Sequence, residues 1–319
     1  MEPFLPYIGY LLVAVLLCSY IVISSIEFGS ALILLMPSTF KTERRLVSRY
    51  FNPAWEATNV LLVFAVVAII TAFPKAIVPI TTSLLLLIDV AIVFFGTRIL
   101  GVLLLFYGEI DALVSRIIFF IGSFGAPLVL SCGYFFFLTG SASFWPTPFL
   151  VGIWAMVVAV IILISSSFFL FFGKLGNPGE ADIKRLALIG SVIFLLAGAL
   201  TLYGGVTEAP HLTRLLALPA TSGILMLLPA FLFPYFLHHR KFGTAFIVSI
   251  VATLGFVVPL ALAHLPYLVY PSITIQSAFT VPSVYMAALI SLIFGALITI
   301  PSFVLLYRMF ASPRSVNAP

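Results

Sequence analysis

The sequence predicts an all-α polytopic membrane protein with about nine transmembrane helices. Three observations carry this. Hydrophobic residues make up 63% of the 319 positions and charged residues only 8%. A soluble domain carries roughly 25% charged residues, so water cannot solvate this surface, whereas a bilayer can. Nine apolar stretches approach the ~20 residues needed to cross a ~30 Å hydrocarbon core. Finally, the lysines and arginines segregate to alternate loops, as the positive-inside rule requires.

The spans run near 5–36, 59–74, 78–107, 117–139, 148–172, 185–206, 215–237, 243–264 and 283–308. The second is short and the third long, with Phe73-Pro74-Lys75 at their boundary. With the N-terminus outside, twelve of the fifteen basic residues fall on the cytoplasmic side, from Lys41 and Arg44 through Arg308 and Arg314. Only Lys75 and Arg214 fall outside, and Arg98 lies within a helix. One missed helix would flip every later loop, so the split supports both the odd number and a cytoplasmic C-terminus. The first span is too long for a signal peptide, follows Glu2 and has no basic leader, so it is expected to be retained. The net charge of +5 reads as membrane topology, not nucleic-acid binding.

Each loop has its own chemistry. Phe144-Trp145-Pro146-Thr147-Pro148 and His264–Pro271 are rich in aromatics and proline, which suits an outer interfacial belt. Lys174-Leu175-Gly176-Asn177-Pro178-Gly179 is a cytoplasmic turn. Glu180 and Asp182 follow at a helix start, where the dipole favours acids. Cys18 and Cys132 lie in apolar runs and read as packing residues. Ser165-Ser166-Ser167 lacks a local base and reads as small-residue helix packing.

An ionisable group at the bilayer centre costs at least ~2.5–3.5 kcal/mol, so such residues are the best functional leads. Glu27, Asp89 and Arg98 lie inside spans, and Glu56 sits at the mouth of the second, with Trp55 before it and Asn59 one turn on. Glu27 lies nine residues before Met36, and Arg98 nine before Tyr107. Both are therefore ~14 Å from the cytoplasmic ends of their helices, and they are expected to pair if the first and third helices are neighbours. Asp89 is ~13 Å further along the same helix as Arg98, too far for a direct bond. These residues read either as helix-packing glue or as a proton-conducting or cofactor-facing polar cluster.

The four histidines, His211, His238, His239 and His264, all fall in loops or at helix ends. Haem ligation by this chain alone is therefore not expected. No phosphate-binding glycine loop, dinucleotide turn or His-Glu-x-x-His helix is present. Neither a catalytic nor a metal-ligating residue is predicted.

The chain resembles subunit II of the cytochrome bd-type quinol oxidases, in a form similar to the Gram-positive branch. The resemblance begins at Glu27-Phe28-Gly29 and continues through Thr42-Glu43-Arg44-Arg45. It is strongest at Asn52-Pro53-Ala54-Trp55-Glu56-Ala57-Thr58-Asn59-Val60. Phe73-Pro74-Lys75, Phe94-Phe95-Gly96-Thr97-Arg98, Phe120–Leu128 and Tyr270–Ile275 follow in order. It implies two four-helix bundles plus one peripheral helix: residues 1–140, residues 141–264, and residues 265–319 as outer loop, last helix and tail. It also implies a haem-free subunit in the bacterial cytoplasmic membrane, beside a subunit I that carries haems b and d and the quinol site. A small single-helix accessory subunit and membrane lipid are further partners of this kind of complex. Glu27, Trp55, Glu56, Asn59, Asp89 and Arg98 become candidates for a proton path from the cytoplasm or for the subunit boundary. The chain departs from the pattern in places. Ser24 stands where the family has the first of two acids, residues 99–105 are apolar where some members carry charges, and Asp89 has no counterpart. A secondary transporter, with Glu27, Asp89 and Arg98 lining its path, is the alternative, and a membrane scaffold without chemistry a third.

Overall fold

The computed structural model describes residues 4–36, 58–107, 112–172, 177–214 and 221–311. Its long helices are α1 (Leu5–Leu35), α2 (Thr58–Ala72), α3 (Pro74–Tyr107), α4 (Ala112–Thr139), α5 (Pro148–Phe172), α6 (Asn177–Glu208), α7 (Thr221–His238) and α8 (Phe242–His264). A two-stranded hairpin follows, β1 (Tyr267–Val269) with β2 (Ile273–Thr274), then short α9 (Ile275–Ala278) and the last long helix, α10 (Pro282–Ala311). Each of the nine expected spans coincides with a helix over its described residues, and 215–220, at the start of the seventh, lie outside them. The largest differences are at N-terminal ends, where α4 and α6 begin several residues early. Only the bilayer-crossing part of a helix must be apolar, so hydropathy reads the crossing and misses its polar first turns.

Phe73 separates α2 from α3 because Pro74, at the first position of α3, has no N–H to extend a ladder. The Ala72 carbonyl at that break instead accepts the Thr280 N–H at 3.0 Å. Pro229 and Pro234 lie within a continuous α7.

Helices α1–α4 and α5–α8 form two four-helix bundles. The hairpins α3–α4, α5–α6 and α7–α8 pack internally, and α1 joins the bundles by packing on α4, α5 and α8. The central helix is α5, whose most apolar stretch is 72% buried within the chain, against 6% for α10. The peripheral α10 rests on α2 through Tyr285, which is buried with Ala68 and Ala72. In lipid the helices gain little from simple burial, so close contact and small residues hold them together. A Cβ on Gly122 of α4 would lie 2.3 Å from the Arg98 backbone nitrogen, and one on Gly101 of α3 2.4 Å from that of Phe119. Only glycine permits this approach of α3 to α4. Ser165, Ser166 and Ser167 are fully buried on α5, and Ser167 meets Ser249 of α8 at 3.0 Å. This is small-residue packing with a polar tie across the interface. Cys132 is buried and Cys18 half-buried, and both are free thiols.

The connections at one end of the molecule hold one another. Tyr270 N–H donates to the Phe137 carbonyl, Tyr10 Oη to that of Ala261, and Gln276 Nε2 to Tyr7 Oη. At the other end, Glu180 at the start of α6 meets Lys184 at 2.6 Å and Arg240 of the α7–α8 turn at 3.3 Å. The expected belt segment at His264–Pro271 is thus a structured hairpin cap. Period-two alternation over such short strands is too brief to read against an aromatic-rich background.

Candidate functional site

Glu27 of α1, Arg98 of α3 and Thr58 of α2 meet inside the first bundle. They are 2%, 4% and 4% exposed. Arg98 Nη2 donates to Glu27 Oε1 in a direct ion pair. Thr58 Oγ1 donates to Glu27 Oε2 at 2.5 Å. Both oxygens of one carboxylate are engaged, by donors from two other helices. The guanidinium carbon lies 5.1 Å from the Phe28 ring centroid, within cation–π range. The Glu27 backbone carbonyl accepts the Ser30 hydroxyl at 2.6 Å. The close contact at Gly122 sets the position of the Arg98 backbone.

This arrangement follows from cost. A buried charge must be paired and hydrogen-bonded to remain charged in an apolar interior. The depth arithmetic on α1 and α3 anticipated the pair, and the structure forms it. The hydroxyl of Thr58 was not singled out beforehand. Its only signal is a hydroxyl at a helix start within the Trp55–Asn59 motif. Of the other described candidates, Asn59 and Asp89 do not join the cluster. Trp55 and Glu56 lie outside the described residues. Asn59 is exposed on α2, and Asp89 is exposed on α3.

A second polar group lies between the end of α6 and the hairpin cap. His211, in the 3-10 turn Pro210–Thr213, and His264, the last residue of α8, are 8% and 5% exposed. His211 Nε2 lies 2.9 Å from His264 Nδ1, and His264 Nε2 lies 3.4 Å from the Leu268 carbonyl. A carbonyl only accepts, so His264 carries its proton on Nε2 and accepts at Nδ1 from His211 Nε2–H. The ring centroids are 5.1 Å apart, close to the greatest separation a 2.9 Å nitrogen contact allows. The two lone-pair axes are therefore nearly collinear, which suits one shared proton and not two ligands converging on a metal. The Tyr270 ring stacks on His211 at 4.1 Å. Burial, and then the charge of Arg214, hold His211 below its ordinary pKa of 6.5.

Haem iron needs an axial ligand aimed into the bundle. His211 and His264 engage each other, and His238 and His239 end α7. Among the described residues no group of three His, Cys, Asp or Glu side chains clusters as a metal site. His211 and His264 are thus engaged with each other and His238 and His239 are exposed, so none of the four is aimed into a bundle as an axial ligand.

The fold and its buried ion pair define a helical, multi-pass membrane protein with charged groups paired between helices in its interior. The family model for cytochrome bd terminal oxidase subunit II matches residues 5–310, and the chain belongs to that family. It is therefore part of a terminal quinol oxidase complex, an oxidoreductase built with another subunit. A Bacillus subtilis (strain 168) protein described as putative cytochrome bd menaquinol oxidase subunit II is 24% identical, over 91% of each chain. The bd oxidase structure from Geobacillus thermodenitrificans matches with a TM-score of 0.82 and 27% identity, over 96% of this chain and 98% of that one. These findings give the transporter alternative no support.

Proposed function

We propose that this chain is the haem-free half of a bd-type quinol oxidase. It supports a subunit I that carries haems b and d and the quinol site, with menaquinol as the reductant. The observation that carries this reading is the Glu27–Arg98–Thr58 cluster, in which the described polar groups inside the first bundle engage one another. In this reading residues 1–140 and 141–264 act as two structural units, and residues 265–319 cap and flank them. The N-terminus is outside and the C-terminus cytoplasmic, as the basic residues favour. A small single-helix subunit belongs to the same assembly.

A proton-supply role for Glu27 is the second reading. It is favoured by Thr58, two residues after Glu56, whose hydroxyl donates to the Glu27 carboxylate from the end of α2 nearest the expected cytoplasmic mouth.

The test is to tag this chain, extract the complex from its native membrane in mild detergent, and record dithionite-reduced minus oxidised spectra. Haems b and d co-purifying on a larger partner are expected. A colourless preparation, or haem bound to this chain alone, refutes the proposal. For the second reading, Glu27→Gln in the proteoliposome-reconstituted complex should slow oxygen reduction and proton uptake together while the haem spectrum is retained. An unchanged rate removes that role.

A further inference from the structure

Helices α1 and α8 leave a groove of about 680 Å3 between them at the hairpin-cap end of the molecule. Its walls are apolar, with Leu11 and Ile23 on α1 and Val258 and Leu262 on α8, and the small Ala14 and Ala261 lie among them. The groove has a definite length. On α1 it runs from Tyr7 to Ile23, sixteen residues apart and so ~24 Å. Beyond Ile23 the helix closes into the protein: Ser24, Ser25, Glu27, Phe28 and Gly29 are all buried. A bilayer is ~40–45 Å thick with its headgroups, so one leaflet measures ~20–22 Å. The groove therefore matches one leaflet and stops near the midplane, whereas a docked transmembrane helix would continue across both.

The mouth of the groove is polar. Tyr7 and Leu265 line it there. The Tyr7 hydroxyl accepts from Gln276 Nε2 at 2.9 Å, which leaves its own proton to donate. Arg214 is exposed and donates from Nη1 to the Leu265 carbonyl at 3.1 Å. A guanidinium carries five N–H donors in a planar fork that matches phosphate, so one bond to a carbonyl leaves the fork able to hold an anion. The acid nearest to it in sequence, Glu208, is engaged elsewhere and accepts the Phe149 N–H at 3.0 Å. A cation and an aromatic hydroxyl thus stand above an apolar slot one leaflet long. That is the order of groups in a phospholipid, phosphate first and acyl chain below.

We infer that the α1–α8 groove is a binding site for one phospholipid of the leaflet at the hairpin-cap end, with an acyl chain lying along Leu11–Ile23 and the phosphate on Arg214 and Tyr7. Charge complementarity at the mouth and the one-leaflet length select this occupant. The bound lipid fills the gap between the first helix of one bundle and the last helix of the other, where α1 and α8 would otherwise face each other across open space. The inference goes beyond the two-subunit reading and does not depend on which subunit holds the haems.

The experiment uses the whole oxidase, tagged on this chain, from cells grown on a fatty acid that carries a diazirine near its methyl end. The complex is extracted and washed in mild detergent, then irradiated, and the adducts on this chain are mapped by mass. We expect phospholipid adducts concentrated on the α1 and α8 segments that line the groove, roughly tenfold above the other exposed helices. Ala14→Trp, which fills the groove, should lower them about fivefold. Arg214→Glu should lower them a few-fold, and Arg214→Lys should keep most of them. Adducts spread evenly over the exposed helices mean boundary lipid only and overturn the inference, as does the loss of all adducts in the wash. A groove filled by a quinone or by a helix of another chain leaves α1 and α8 unlabelled while other helices are labelled, and overturns it too. If Ala14→Trp fails to assemble, the two Arg214 variants decide, and unchanged labelling in Arg214→Glu overturns the inference. A wild-type preparation without haem overturns the two-subunit reading, while the adduct map still decides this one.

Discussion

Replacing Arg98 with Leu removes the cation from a carboxylate that is 2% exposed. Thr58 still donates to one oxygen of Glu27, but the oxygen facing Arg98 is left in an apolar interior. Breaking a buried pair by removing one partner costs about 3–5 kcal/mol, because the remaining charge is uncompensated. Replacing both partners with uncharged groups of similar shape is close to neutral. The Arg98→Leu variant should therefore lose about 3–5 kcal/mol, and Glu27→Gln with Arg98→Leu should recover most of it. At about 2–4 °C per kcal/mol for chains somewhat smaller than this one, the single variant should melt roughly 6–20 °C lower. The assay is thermal unfolding of the detergent-extracted complex, completed as a double-mutant cycle with Glu27→Gln alone. Equal damage in Arg98→Leu and in the double variant would show that the two groups are not coupled, and would refute the electrostatic account.

Two further predictions concern other contacts. A Cβ on Gly29 would lie 2.1 Å from Ser165 Oγ and 3.0 Å from the Ile161 carbonyl. Gly29→Ala should thus force α1 from α5 and cost about 1–3 kcal/mol, as overpacking does. Adding Ser165→Gly should restore part of the melting temperature, and no restoration would place the cost elsewhere. The second prediction is a pH dependence from His211. Its folded pKa lies below the unfolded value of about 6.5, so the unfolded chain binds more protons between the two. The contribution of the neutral imidazole pair is complete above about pH 6.5 and is lost as pH falls through the lowered folded pKa. Melting temperature should therefore fall more steeply below pH 6.5 in the wild type than in His211→Asn, and parallel profiles would show that this histidine is not the titrating group.

The number and length of the crossings were legible in the sequence because a bilayer leaves a chain little choice. Backbone polar groups must be satisfied within each segment, so an apolar run of sufficient length is a helix. The order of spans, the break at Phe73-Pro74 and the acidic start of α6 follow from that rule. Part of the site was legible too, since Glu27 and Arg98 lie equally far from their helix ends and charges at one depth in apolar surroundings seek each other. Rotation of each helix about its axis was not legible. Core and lipid are equally apolar, so α3 shows no sequence contrast between the stripe facing α4 and the stripe facing outward. Only packing decided that Arg98 turns inward and Asp89 outward, that Thr58 reaches Glu27, and that Gly122 brings the Arg98 backbone against α4. The pairing of His211 with His264 was also a tertiary outcome. Fifty-three residues separate them, and the packing of the 3-10 turn after α6 against the end of α8 brings the rings together.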